Sequence, residues 1–492
     1  MGSTWSWSPG VGLLERAAPE PRGKNNEMLI MIGIVASLLL GLLKIFLGVQ
    51  VAFIILIVPF SCYLIFEPRQ WPQVSFLLFT LGVAALPVPY AESDFGGKSP
   101  EEFLYWAVAL SVPAACALAG VYLQPKREPF WNSLPRDVLL PTLALALTGI
   151  ASVLYGIIRG GVQVADCLRQ ASGLAVFCLY LLLAFKLSFS DRDMERIFGT
   201  VRNIVLLYSI FYVFYYLTEI SRIHDFVRER SPLLFFAGLF ASITIIRMLF
   251  FRSRRNLTEV AYVFVFLAAS ILSGSRSVAV SFLVTAAIFF YARYPSLSRK
   301  MVAVALLGVV FLIQNPLNLE ATSEGSSSPI EQIVYRFITS PTADSSYLGR
   351  ISEMVSIFRV VADNPVLGQG MGASLVWIDP FEGEVESPAV DTGIGYILLK
   401  AGFVGLSVFL WWSFIIIRRA IRLWRDTTRQ GWLFVLVCLV FYCAFLPFGP
   451  SFFQFSYSFW IGCVVGFLLW KIRSAPELAA ASFGSLGASL QS

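Results

Sequence analysis

Histidine is almost missing from this sequence, which has one, His224, in 492 residues. Cysteine is sparse and unpatterned. The seven, at 62, 116, 167, 178, 438, 443 and 463, are odd in number and nearly all lie in apolar stretches, where a thiol is ordinarily a small hydrophobe. No pair has metal-ligand spacing and no disulfide framework is visible, which leaves too few ligands for a dedicated transition-metal site. Charge is scarce too. Asp, Glu, Lys and Arg make up 14% of the chain, against about a quarter in a soluble domain. A nucleotide loop is also lacking: Gly368, Gly370 and Gly372 have the look of one, but no strand is predicted before them and no lysine follows, so a tight turn returning the chain to the membrane is the reading. Residues 1–27 are polar and Pro/Gly-rich, with no short apolar core ahead of a cleavage site, so the first apolar segment reads as a retained anchor.

Apolar residues fill the space. The chain is 57% hydrophobic with a mean hydropathy of +0.73, which predicts an all-α polytopic membrane protein. Apolar segments begin near Met28, Val49, Val74, Phe103, Val138, Leu168, Val201, Pro232, Thr258, Val278, Met301, Asp391, Trp432 and Phe453, about 14 spans at ~20 residues each. With the N-terminus in the cytoplasm, every inner connection carries at least one Lys or Arg, as the positive-inside rule asks; the richest is Arg418, Arg419, Arg422, Arg425 and Arg429. The expected organisation is a cytoplasmic tail at 1–27, spans 1–11 within 28–314, one large outer loop at 315–390, spans 12–14 within 391–472, and a cytoplasmic tail at 473–492.

Parity makes "SGSRS" an outer turn, so Arg276 stands at a hairpin tip rather than mid-membrane, where a charge costs at least ~2.5–3.5 kcal/mol. Arg276 reads either as a snorkelling side chain or as part of an outer arginine cluster with Arg159, Arg169, Arg222, Arg228, Arg230, Arg336, Arg350 and Arg359. Such a cluster suits an anionic ligand, since guanidinium groups bind phosphate bidentately. Within the outer loop, "IEQIVYRFITSP" predicts a short amphipathic helix and "SSYLGRISEMVSIFRVVADNP" a firmer one. Ile351, Met354, Val355, Phe358 and Val361 keep helical spacing, while Arg350, Glu353 and Ser356 share another face. Ser345 or Ser346 would cap this helix, and Asn364-Pro365 would stop it. Asp379, Glu382, Glu384, Glu386 and Asp391 crowd the following stretch, without the spacing of any specific cation loop. Asp391 reads as either a base or the N-cap of the next span.

Three pieces in order, "SGSRSVAV", "GRISEMVSIFRVVADNPVLGQGMG" and "DTGIGYILLKAGFVGL", resemble the O-antigen ligase and polysaccharide polymerase superfamily over about a third of the chain. The resemblance implies a metal-independent GT-C-like glycosyltransferase, with no cofactor, that uses undecaprenyl-pyrophosphate-linked oligosaccharide at the periplasmic face of a bacterial inner membrane. Arg276 and Arg350 match the family's arginines, and Asp391 falls where ligases have a histidine. That departure favours a Wzy-type polymerase over a ligase acting on lipid A core. Implied roles are catalytic for Asp391, Arg276 and Arg350. Arg159, Arg222, Arg336, Arg359, Tyr347 and Glu353 would bind substrate, with Trp377 as a further stacking surface. The partners implied are the lipid-linked donor, the bilayer and a chain-length regulator protein, and not nucleic acid. A flippase is the reading from another class. It would call for inverted repeats and midplane charges, and no repeat is evident.

Overall fold

In the computed structural model, the described residues are 57–85, 100–123, 136–159, 164–187, 189, 191–218, 232–251, 257–272, 276–294, 345–379, 383–387, 390, 392–427, 430–447, 449 and 457–472. The helices are α1 (Ile57–Phe66), α2 (Trp71–Ala85), α3 (Pro100–Leu123), α4 (Arg136–Arg159), α5 (Val164–Lys186), α6 (Asp191–Thr218), α7 (Pro232–Phe250), α8 (Leu257–Leu272), α9 (Arg276–Arg293), α10 (Ser345–Asp363), α11 (Gly393–Thr427), α12 (Gln430–Phe445) and α13 (Tyr457–Ile472). The expected spans fall on these helices, apart from those starting at Met28 and Met301 and the first residues of those at Val49, Asp391 and Phe453, which lie outside the described residues. Four stretches among them are long and apolar enough to cross a bilayer: Arg136–Arg159, Asp191–Thr218, Leu233–Phe250 and Gly393–Arg425. The protein is a mostly helical, multi-pass membrane protein. Its outward faces agree: α4 exposes Leu140, Leu147, Ile150, Leu154 and Ile158, the reverse of a helix facing water.

Contacts sort the helix ends into two sets. Asp137 at the start of α4 meets Arg419 late in α11. Asp191 at the start of α6 meets Lys471 at the end of α13 and Trp432 near the start of α12. Arg247 near the end of α7 pairs with Glu259 near the start of α8. These define one end of the bundle. At the other end, Cys167 near the start of α5 and Gly156 near the end of α4 both touch Met371, and the backbone of Gly393, opening α11, bonds Leu446 just past α12. Helices α4 to α8 thus alternate in direction.

Two packing devices hold this bundle. An aromatic cluster fills its centre, where Phe76 stands edge-to-face against Phe236 and Trp460, and Phe235 against Phe445, the geometry that ring quadrupoles favour. Small residues let helices touch: a side chain at Gly462 or Gly466 would run into the α5 backbone at Phe177 and Leu181, the close approach that a G-x-x-x-G spacing provides in membranes.

Two features depart from expectation. First, an antiparallel hairpin, β1 (Leu375–Asp379) with β2 (Gly383–Ser387), interrupts the all-α pattern. "LVWID" is β-branched and aromatic, it alternates buried Leu375 with exposed Val376, and it therefore suits a half-buried strand. Second, α11 is not one helix. Gly402 has φ 63 and ψ −163, which breaks it into Gly393–Ala401 and a long second half from Phe403.

Candidate functional site

Breaking a helix frees backbone groups that a membrane protein must satisfy internally. The glycine turn after α10 does this. Phe403 N donates to Pro365 O (2.8 Å), Val404 N to Val366 O (3.3 Å) and Gln369 N to Leu399 O (2.6 Å). The hydroxyl of Ser152 on α4 donates to Lys400 O (2.5 Å). Gly368 and Gly402 face each other at the join, both with positive φ (66 and 63), and a Cβ on either would lie 2.4–2.7 Å from backbone atoms of the other segment. Only glycine permits both the conformation and the approach. The turn is held further along as well: Met371 N donates to Ser152 O (3.0 Å), Gly372 N to Gln170 Oε1 (2.7 Å), and the Cys167 thiol to Met371 O (3.1 Å). The turn expected at these glycines is therefore a plug seated in a broken span.

Lys400 completes the seat. It is 1% exposed, its ammonium donates to Ala373 O and lies 5.6 Å from the centroid of the Tyr396 ring, and no carboxylate pairs with it among the described residues. A buried cation satisfied by a carbonyl and a π face is costly to place. Sequence reasoning passed over Lys400, although a lysine within "GYILLKAGF" carries the same signal of a charge in an apolar run that singles out Arg276.

The expected helix α10 is present, starting at Ser345 and stopping before Asn364-Pro365. Its expected polar face is not solvated. Glu353 is 3% exposed and lies on the inward face with Ile357 and Val361, while Ile351, Val355 and Phe358 are exposed. Arg350 is half-buried beside the inward face, and Arg359 is exposed. The helix packs against the start of α11, where the Met354 sulfur accepts from the Thr392 hydroxyl (3.3 Å) and Ile357 crowds Gly395. Thr392 is the N-cap of α11, its Oγ1 accepting from Gly395 N (3.1 Å). The cap considered for Asp391 thus belongs to its neighbour, since a threonine hydroxyl satisfies the orphan amide.

One end of the bundle therefore gathers several of the expected site residues. Arg159 ends α4 one turn beyond Gly156, which meets the glycine turn. Arg350 lies one turn from Met354 on α10, and Arg276 opens α9. Val278, two residues on, packs at Gly238 beside Phe441 of α12, the helix whose end bonds Gly393. Tyr347 is on α10; its side chain and that of Arg276 lie outside the described part. Asp391, Arg222 and Arg336 lie outside the described residues, as do Arg228, Arg230 and His224. Trp377 is half-buried on β1. Of the crowded carboxylates, Glu386 accepts from Ser374 (2.6 Å), and among the described residues no three His, Cys, Asp or Glu gather as metal ligands would. Compared with known proteins, the chain matches no family model and no curated sequence.

Proposed function

We propose that the protein is a membrane glycosyltransferase, a polysaccharide polymerase that joins undecaprenyl-pyrophosphate-linked oligosaccharide units at the outer face of the bacterial inner membrane. The observation that carries this reading is the docking of α10, with Arg350 and Glu353, onto the first residues of α11, next in sequence to Asp391. Thr392 caps this helix start, and Asp391, its neighbour in sequence, serves as the general base. In the transfer, an acceptor hydroxyl gives its proton to Asp391 and its oxygen bonds the anomeric carbon. The bond from that carbon to the diphosphate breaks, and Arg276 and Arg350 offset the charge on the departing diphosphate. Fixed cationic donors of this kind lower a barrier by several kcal/mol. Arg159, Arg222, Arg336 and Arg359 are further contacts to phosphate or sugar.

A broken helix is also the device with which transporters build ion sites from freed backbone groups. In this chain the glycine turn takes those groups, which supports the enzyme reading over the flippase. Reconstitution tests the choice. Purified protein with the undecaprenyl-diphosphate-linked repeat, chelator and no nucleotide sugar is expected to yield a ladder of lengths. Arg350→Ala and Asp391→Asn should abolish the ladder while the protein stays folded. No ladder with a cognate repeat overturns the polymerase, and a product formed only with lipid A core points to the ligase.

A further inference from the structure

Helix α10 carries apolar residues on two faces. The inward face holds Ile357 and Val361 against α11 and the hairpin. On the opposite side, Ile351, Val355 and Phe358 form a stripe at i, i+4, i+7 spacing that is 44%, 43% and 49% exposed. A helix facing water would place charge there. The stripe does not end with the helix. Val366 and Leu367 at the tip of the turn are exposed as well, and they seat beside exposed Phe403 and Val404 on α11 through the Val404–Val366 backbone bond. Below these, the same exposed face of α11 continues with Leu410, Trp411 and Phe414, the lipid face of a span.

Depth can be read from two helices. Asp137 and Arg159 bracket α4 and stand about 33 Å apart at 1.5 Å per residue, slightly more than the ~30 Å hydrocarbon core. Gly156, one turn inside Arg159, meets Met371, so the far side of the turn lies just within that boundary. Along α11, Phe403 stands about 22 Å from the Arg418 level, well inside a ~30 Å core. The α10 residues rise from there: Val360 O accepts from Gln369 Nε2 beside the break, while Met354 is level with Thr392 at the top of α11.

We propose that α10 and the glycine turn are inserted in the bilayer leaflet on their side of the bundle, with the outward stripe in contact with phospholipid acyl chains. Contact is deepest at Leu367 and Phe358 and shallowest at Ile351. The lipid then fixes Arg350 at headgroup depth, where the phosphates of any lipid-borne substrate lie. The inference rests on exposure and depth alone and would stand if glycosyl transfer failed.

Photo-crosslinking in intact membranes tests it. Benzoylphenylalanine is placed singly at Leu367, Phe358, Val355 and Ile351 of the full chain, with Phe414 as the lipid-facing reference and Glu384 on β2, exposed on the hairpin, as the water-facing one. Adducts are read by mass spectrometry, and each variant is checked for an unchanged unfolding temperature. The expected result is phospholipid adducts at Leu367 and Phe358 comparable with Phe414, weaker at Ile351, and absent at Glu384. Stripe positions that behave like Glu384 would overturn the proposal. So would crosslinks to a second copy, to another protein or to another segment of this chain. Adducts bearing polyprenyl diphosphate in place of phospholipid would overturn bulk lipid as the occupant.

Discussion

The two ends of the bundle are held by different chemistry. At one, cations are tied to carboxylates: Arg419 to Asp137, Arg247 to Glu259, and Lys471 to Asp191, which also accepts from the Trp432 indole. At the other, backbone meets backbone. A glycine turn fills a helix break, and the buried cation within it, Lys400, is matched by a carbonyl and a ring. Among the described residues, Arg159 and Arg359 at this end make no ion pair. The difference is one of means: ion pairs tie the first end together, whereas the second holds itself together through amides, and under the proposed function Arg159 and Arg359 there serve an anionic ligand.

The sharpest way to break that comparison is Gly402→Ala. A positive φ alone costs roughly 1–2 kcal/mol for an L-residue, and the Cβ would also lie 2.4 Å from Val366 O, so the turn must leave its seat. The expected outcome is loss of folded protein, read as the yield of monodisperse material and the thermal midpoint by tryptophan fluorescence in nanodiscs. A normally stable Gly402→Ala would mean that the plug is dispensable. Next in size is Arg247→Met at the paired end. It strands Glu259, which is buried on α8, and breaking a buried pair costs about 3–5 kcal/mol. Arg247→Met combined with Glu259→Leu should recover most of the lost midpoint. Both should leave the specific activity of the surviving folded protein unchanged, because the pair belongs to the end remote from the expected site.

The helices were legible because apolar length and the placement of arginine are local signals; α7, α8, α9 and α10 begin within two residues of where the pattern puts them. Asp191 to Thr200 extend α6 ahead of the apolar run near Val201, since their polar residues are helix formers that hydropathy does not see. What sequence could not give is the break in α11. "LLKAGFVGL" reads as one continuous span, and only the arrival of Pro365–Gln369, far off in sequence, makes a break affordable to the backbone. The burial of Glu353 is not legible either, because helical spacing says which residues share a face, not which face is covered. The candidate site is legible as a set of arginines, while the seat of the glycine turn beside it, Ser152, Gln170, Thr392 and Lys400, emerges from tertiary contacts.

Lys400→Met sharpens the comparison from within the seat. Methionine keeps the apolar stem and removes the donor to Ala373 O. Leaving a buried carbonyl unmatched costs about 1–3 kcal/mol, offset in part by no longer burying a charge. A midpoint lowered less than in Arg247→Met is expected, together with a fall in transfer activity, since the turn that carries α10 to α11 is loosened. A Lys400→Met protein with lower stability and unchanged activity would show that the seat is scaffold alone and separate it from the site.

The smallest effect is expected at Arg419→Ala. Arg419 and Asp137 bridge α4 and α11 at the paired end, but both remain partly exposed, at 28% and 46% of their side chains. An exposed pair contributes roughly 0–1 kcal/mol, because solvent and salt screen it and two side chains lose freedom to make it. The midpoint should therefore move little, and the small difference from the parent should shrink further in high salt, where the Debye length drops to about 3 Å at 1 M. Activity measured on the lipid-linked repeat should not change. If Arg419→Ala instead reduced activity without moving the midpoint, cations at this end would be serving the reaction, and the division between a paired end and a ligand end would fail at its best-defined ion pair.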